Sequence, residues 1–230
     1  MTPALIVQGS EEWHLVRAGK VTASRICDVL AKIKKGEAAS RRNYRAQIVA
    51  EILTGLPQES SFISAEMQFG IDNEPFARAS YEIAGDVTVE EVGFAQHPRI
   101  ERAGASPDGF VGTDGLVEIK VPNTATHIDY LLADTVPTDY QPQMLWQMAC
   151  TRRAWCDFVS YDPRLPDHLQ LFVKRFPRDE ARIAEMEQEV DLFLKEVDSI
   201  LAALPKAPND GKTVLERQLE ASLERVGMGL

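Results

Sequence analysis

The sequence predicts an α/β chain of the α+β kind, with a central mixed β-sheet flanked by helices. Three observations carry this. Stretches with the apolar period of a helix open and close the chain. Between them lie short runs rich in β-branched and aromatic residues, punctuated by Pro, Gly and Asp, as strands and turns require. The order of these segments is helices, a strand group, a helix, a strand pair and a helix, which gives one sheet covers for its faces. At 230 residues, 44% of them hydrophobic, the chain can build one real core. We expect a single domain over 1–204 with its core at about 64–176, followed by a linker and helical tail over 205–230.

Glu11 to Gly19 reads as a short helix ended by glycine. Val21 to Ser24 starts a second, with Thr22 or Ser24 as N-cap and Ile26, Val29, Leu30 and Ile33 as its stripe. Lys32 to Ser40 is a charged loop. Arg41 to Leu53 is helical, with Tyr44, Ile48, Ile52 and Leu53 inward, and Thr54-Gly55-Leu56-Pro57 stops it. Ser64 to Ala84 is a longer helix with Met67, Ile71, Phe76 and Tyr81 as its apolar positions, interrupted by Gly70 and Pro75. Asp86 to Phe94 alternates as a strand, and a strand or turn follows His97-Pro98. Ser106 to Lys120 reads as a turn, a hairpin and a strand. Helices are expected over Thr124–Leu132 and Tyr140–Cys150, and strands over Trp155–Tyr161 and His168–Phe176. Arg178 to Leu201 is an amphipathic helix that buries Ile183, Met186, Val190, Phe193, Leu194 and Val197. After the Pro205–Lys212 linker, Thr213 to Val226 reads as a helix outside the core.

Composition excludes several classes. The net charge is −10, against general polyanion binding. The charge is uneven, however: nine bases and two acids between His14 and Arg45, seven bases and twelve acids from Arg178 onward. That pattern suits either one phosphate-facing surface or two ordinary solvated faces. No apolar run approaches the roughly 20 residues that span a bilayer, and no signal peptide is visible at the start. Cys27, Cys150 and Cys156 lack metal-finger spacing and fit reduced thiols in a cytoplasmic protein. No P-loop, no G-x-S-x-G elbow and no His pair at i, i+4 is present.

The chemistry concentrates in Ser106–Lys120. Strand side chains alternate, so Glu118 and Lys120 share one face while Val117, Ile119 and Val121 take the other. Asp108, on the neighbouring arm, can reach the same spot. Two carboxylates and a lysine suit a hard divalent cation beside a phosphate, with the Ile119 carbonyl as a further oxygen. Lys120 would hold or deprotonate the attacking water and steady developing charge. Taken alone, the same string equally describes an exposed hairpin with a cross-strand ion pair. Glu74 could stand by a metal or merely face solvent. Gln143 could touch a phosphate, a base or the lysine. Arg17 with Ser24 suits a terminal phosphate, or Arg17 simply faces solvent, while Trp13, Trp146 and Trp155 read as core or interface aromatics ahead of base-stacking ones.

Together these pieces resemble the lambda-exonuclease/YqaJ-type viral recombinase nucleases, within the PD-(D/E)xK nuclease superfamily. The blocks, in the family's order, are Trp13–Ser24 (W-x3-R-x-G-x-[IV]-T-A-S), Gly70–Glu74 (G-x3-E), Ser106-Pro107-Asp108-Gly109, Glu118-Ile119-Lys120-Val121-Pro122, Tyr140-x-x-Gln143, Trp155 and Tyr161-Asp162-Pro163-Arg164. The likeness runs from about Trp13 to Leu201.

The resemblance implies a restriction-endonuclease-like core. Asp108, Glu118 and the Ile119 carbonyl would be metal ligands, Lys120 the catalytic lysine, Glu74 an acid near a second metal and Gln143 a support for the site. Arg17, Ser24 and Ser106 would contact the DNA 5′-phosphate. The implied activity is Mg²⁺-dependent 5′→3′ digestion of duplex DNA ends, with Mn²⁺ substituting, in a homotrimeric ring that works with a single-strand annealing protein in a bacterial cytoplasm of phage or prophage origin. The chain departs at Leu145, where the family has a second glutamine, and at Thr126, where a basic residue contributes to the phosphate pocket in lambda exonuclease. Alternatives are a structure-specific endonuclease of the same superfamily and a non-catalytic module that binds DNA ends or an annealing protein. A Cas4-like nuclease would need four cluster cysteines.

Overall fold

The computed structural model describes residues 6–58 and 63–205. The predicted linker beyond Pro205 and the predicted helix Thr213–Val226 lie outside them. The described residues up to Asp198 form one compact unit, and those from Ser199 belong to a second.

The chain opens with helix α1 (Glu11–Arg17), strand β1 (Val21–Thr22), a 3-10 turn (Ala23–Arg25), α2 (Ile26–Leu30) and α3 (Ala39–Thr54). Then come α4 (Ala65–Gly85), β2 (Val89–Glu90), β3 (Ala95–Gln96), β4 (Ala103–Ala105), β5 (Gly109–Val111) and β6 (Gly115–Lys120). The last part is α5 (Thr124–Ala133), α6 (Gln141–Thr151), β7 (Trp155–Tyr161), β8 (Leu171–Pro177) and α7 (Glu180–Ala203).

The strands form two mixed sheets rather than one. A five-stranded sheet runs β2-β5-β6-β7-β8, and a three-stranded one runs β1-β4-β3. In the larger sheet only β6 and β7 are parallel, with Glu118 opposite Phe158 and Lys120 opposite Ser160. The connection between them passes through α5 and α6, the helical crossover that parallel neighbours need.

The two faces of β6 do different work. Val117 and Ile119 join Val111, Val159, Tyr161 and the α4 residues Ala77 and Tyr81 in an apolar cluster, with Val121 packed against it. The opposite face meets α6, which also touches β3, β4, β7 and α2. Gripped between the two sheets, α6 buries every residue from Met144 to Cys150. Gly109 permits the close approach of β2: a Cβ there would lie 2.1 Å from Val89 Cγ1.

Several local expectations are corrected. Val21-Thr22 does not start a helix; it pairs in parallel with Ala103-Gly104. The strand expected over Asp86–Phe94 breaks after Glu90: the chain leaves the larger sheet there and enters the smaller one at Ala95, passing Gly93, which packs so close to the Ile6 backbone that a Cβ would lie 2.2 Å from its carbonyl oxygen. Along α4, Ala77 and Tyr81 face the sheet, while Met67, Ile71 and Phe76 are exposed. Ile52 and Leu53 on α3 and Ile33 beyond α2 are exposed as well. Pro75 does not end α4, which continues to Gly85. The six apolar residues predicted inward on α7 are all buried.

Candidate active site

The site forms where β5 begins and β6 ends. Antiparallel pairing of β5 with β6 stops at Gly109–Val117, since Pro107 has no N–H to continue it. The next outward-facing N–H on β6, that of Ile119, donates instead to Asp108 Oδ2 at 2.6 Å. A strand residue sends its N–H and C=O to the same edge, so the Ile119 carbonyl shares that edge with Asp108.

Glu118 is fully buried, and both of its oxygens are engaged. Oε1 accepts from the Lys120 ammonium and from Gln143 Nε2 at 2.6 Å. Oε2 accepts from Gln147 Nε2 at 2.5 Å. The Lys120 Nζ also lies 5.4 Å from the centre of the Tyr140 ring. Part of Asp108 reaches solvent, but its carboxyl is packed round by protein. Burial, then the nearby Glu118 charge, pushes its pKa well above the usual carboxylate range. For Lys120, burial acts to lower the pKa, but the Glu118 and Asp108 carboxylates outweigh it and hold the ammonium up.

Asp108, Glu118, Ile119, Lys120 and Gln143 are thus brought to one point. Glu74 stands at its margin. It is 39% exposed and ion-paired with Arg78 at 3.0 Å, yet close enough for its charge to act on Asp108. Arg17 and Ser106 are joined through Trp13: the indole Nε1 donates to Ser106 Oγ at 2.8 Å, and the Arg17 guanidinium lies 3.7 Å over the ring centre. Ser24 is exposed, with its hydroxyl 3.3 Å from that of Thr22. A small cavity beside α1 is lined by His14, Arg17, Lys20, Arg25 and Tyr44 among others.

Two participants escaped sequence reasoning. Gln147 holds the second Glu118 oxygen; its signal was the i, i+4 spacing from Gln143, which puts both amides on one helix face. Trp13 is a connector between Arg17 and Ser106 rather than a plain core aromatic; only its i, i+4 spacing to Arg17 was visible. Part of the expected basic surface is spent on ion pairs. Arg41 and Arg45 both pair with Glu37 and with Glu196 of α7. Lys32 pairs with Glu189 and Arg102 with Asp198.

The match to known proteins accords with this geometry. A YqaJ-like viral recombinase domain matches residues 12–154, the span that holds every site residue above. The chain belongs to the YqaJ-like viral recombinase family. Similar to this recombinase-family chain is the alkaline exonuclease LHK-Exo from Laribacter hongkongensis: 47% identity over 93% of this chain and all of that one, TM-score 0.77. LHK-Exo in complex with dAMP gives 46% identity, coverage of 94% and 100%, and TM-score 0.78. A phage-related exonuclease from Haemophilus somnus 129PT shares the fold at 14% identity, over 80% of this chain and 95% of that one, TM-score 0.65. Comparison of the recombinase-family chain with curated proteins gives no match. No helix among its described residues is long and apolar enough to cross a membrane.

Proposed function

We propose that this chain is a divalent-metal-dependent 5′→3′ exonuclease. It digests one strand of linear duplex DNA from its ends and leaves 3′ single-stranded tails for recombination by strand annealing. The observation that carries this is the convergence of Asp108, Glu118 and Lys120, with the Ile119 carbonyl, at the open end of β6. The near full-length likeness to LHK-Exo, an alkaline exonuclease crystallised with a mononucleotide, supports the reaction class.

The donor set fits Mg²⁺ or Mn²⁺. Asp108, Glu118 and the Ile119 carbonyl offer only oxygen, the ligand type these ions prefer. Two enclosed carboxylates face one ammonium, an excess of negative charge that a cation would balance. Among the described residues, no three His, Cys, Asp or Glu side chains form a cage. That suits an ion which keeps several waters and takes oxygens from the substrate phosphate. When bound, such an ion supplies Lewis-acid polarisation of the phosphate and acidifies a coordinated water.

The protein's own groups do the rest. Lys120 orients the attacking water and stabilises charge on the phosphate oxygens. Gln143 keeps Glu118 turned toward Lys120. Arg17 and Ser106, coupled through Trp13, receive the 5′-phosphate, with Ser24 at the rim and Glu74 as the outlying acid. The same reading includes a homotrimer around the duplex, a single-strand annealing protein as partner and action inside a bacterial cell.

The test uses linear duplexes with 5′-phosphate or 5′-hydroxyl ends and a covalently closed circle, in Mg²⁺ and in EDTA. We expect Mg²⁺-dependent shortening of the 5′-phosphorylated linear DNA, no nicking of the circle and loss of cleavage in Lys120→Ala by about 100-fold or more. Nicking of the circle would overturn the exonuclease reading in favour of an endonuclease. Sedimentation should give three times the 25.6 kDa chain mass.

A further inference from the structure

We infer that Gln147 is a positioning residue for the carboxylate of Glu118, fixing Oε2 against α6 so that Oε1 is the oxygen turned toward Lys120. This rests on the proposed nuclease site. Gln147 is completely buried, between the equally buried Trp146 and Met148. A primary amide there is costly unless paired, and its Nε2 is spent on Glu118 Oε2 at 2.5 Å. The other end of the amide faces the Cys156 thiol, 4.0 Å from Sγ. Carboxylate on one side and S–H on the other fix which end donates.

Helix geometry explains why position 147 holds this oxygen. At 100° per residue, side chains 143 and 147 lie 40° apart and offer two amides side by side. Position 145 falls about 160° from 143, and Leu145 is wholly buried. Position 147, not 145, is therefore the one that can set a second amide beside that of Gln143 on Glu118. A carboxylate with only Oε1 held can rotate about its last bond and present either oxygen, or both. With Gln143 and Gln147 on opposite oxygens it cannot.

Gln147→Met keeps the length and bulk and removes the amide, whose acceptor end faces only the weak Cys156 thiol, so the donor to Glu118 is the main interaction lost and positioning is separated from packing. The full chain, Glu118→Gln and Gln147→Met are compared by thermal melting during an Mg²⁺ titration without DNA, and by kcat and KM on linear duplex. Positioning predicts a folded Gln147→Met with its Mg²⁺ midpoint raised about 10-fold or more, the scale of lost outer partners of metal ligands. It also predicts a fall in kcat of similar size with the KM for DNA unchanged. A folded Gln147→Met with wild-type midpoint and kcat, beside an inactive Glu118→Gln, overturns this inference alone. A fully active Glu118→Gln overturns the site assignment and the inference with it. If Gln147→Met does not fold, Gln147→Asn, which pulls the amide back by one carbon, is held to the same two outcomes.

Discussion

Asp108 is placed against its own electrostatic interest. Its carboxyl accepts the Ile119 N–H while enclosed beside Glu118. A carboxyl with a raised pKa in the folded chain binds its proton more tightly there than when unfolded. Folding stability is therefore lost as pH rises from the ordinary value of 3.8 through the elevated one. At neutral pH and above, without metal, the protein carries that cost. We predict that Asp108→Asn, which can still accept the Ile119 N–H, melts a few degrees higher than wild type in EDTA, the response to roughly 1 kcal/mol in a chain of this size. It should also gain no stabilisation from Mg²⁺ and cleave no DNA. At this scale the site was largely legible, because strand alternation places Glu118 and Lys120 together from local sequence alone. Gln147 and Trp13 were not, because their partners stand 29 and 93 positions away. No local period encodes such a meeting.

Among the elements, α6 is the piece on which the site depends. It reaches β6 from one side and stacks Trp146 on His97, with ring centres 5.1 Å apart, on the other. His97 Nδ1 accepts the backbone N–H groups of Arg99 and Ile100. Its Nε2 therefore carries the proton and lies 3.1 Å from Glu187 of α7, without hydrogen-bond alignment. Burial lowers the His97 pKa, with Arg99 adding to the effect and Glu187 and Asp191 opposing it. The folded state thus disfavours the proton, and stability is lost as pH falls below the ordinary value of 6.5. Melting temperature should drop between pH 7.5 and about 5.5, and His97→Gln should flatten that slope. That helices stand at these places was legible, and on α7 the buried face as well, but on α3 and α4 several of the apolar positions expected inward are exposed. The three-stranded sheet was not: its strands are two or three residues long, too short for alternation to show.

On the scale of the whole molecule, a basic N-terminal third and an acidic C-terminal helix answer each other. Glu196 is the hub, shared by Arg41 at 2.5 Å and Arg45 at 2.6 Å. Because Glu196 is 41% exposed, solvent screens much of this attraction. Glu196→Gln should cost about 1 kcal/mol, lower the melting temperature by about 2–4 °C, and lose most of that difference in high salt. Composition showed the charge asymmetry but not its use. Sequence order cannot reveal that the bases of one third are spent holding the acids of another, so fewer of them are left for phosphates than the count suggests.

The contact of Trp13 with both Arg17 and Ser106 has an optical consequence. Trp146 is wholly buried and Trp155 lies under Arg175, whereas Trp13 is half-buried on α1 beneath Arg17. A phosphate that draws the guanidinium off the indole changes the ring's polarity and quenching. A chain carrying Trp146→Phe and Trp155→Phe would then report the arrival of a DNA end as a shift in its emission, before any bond is cut.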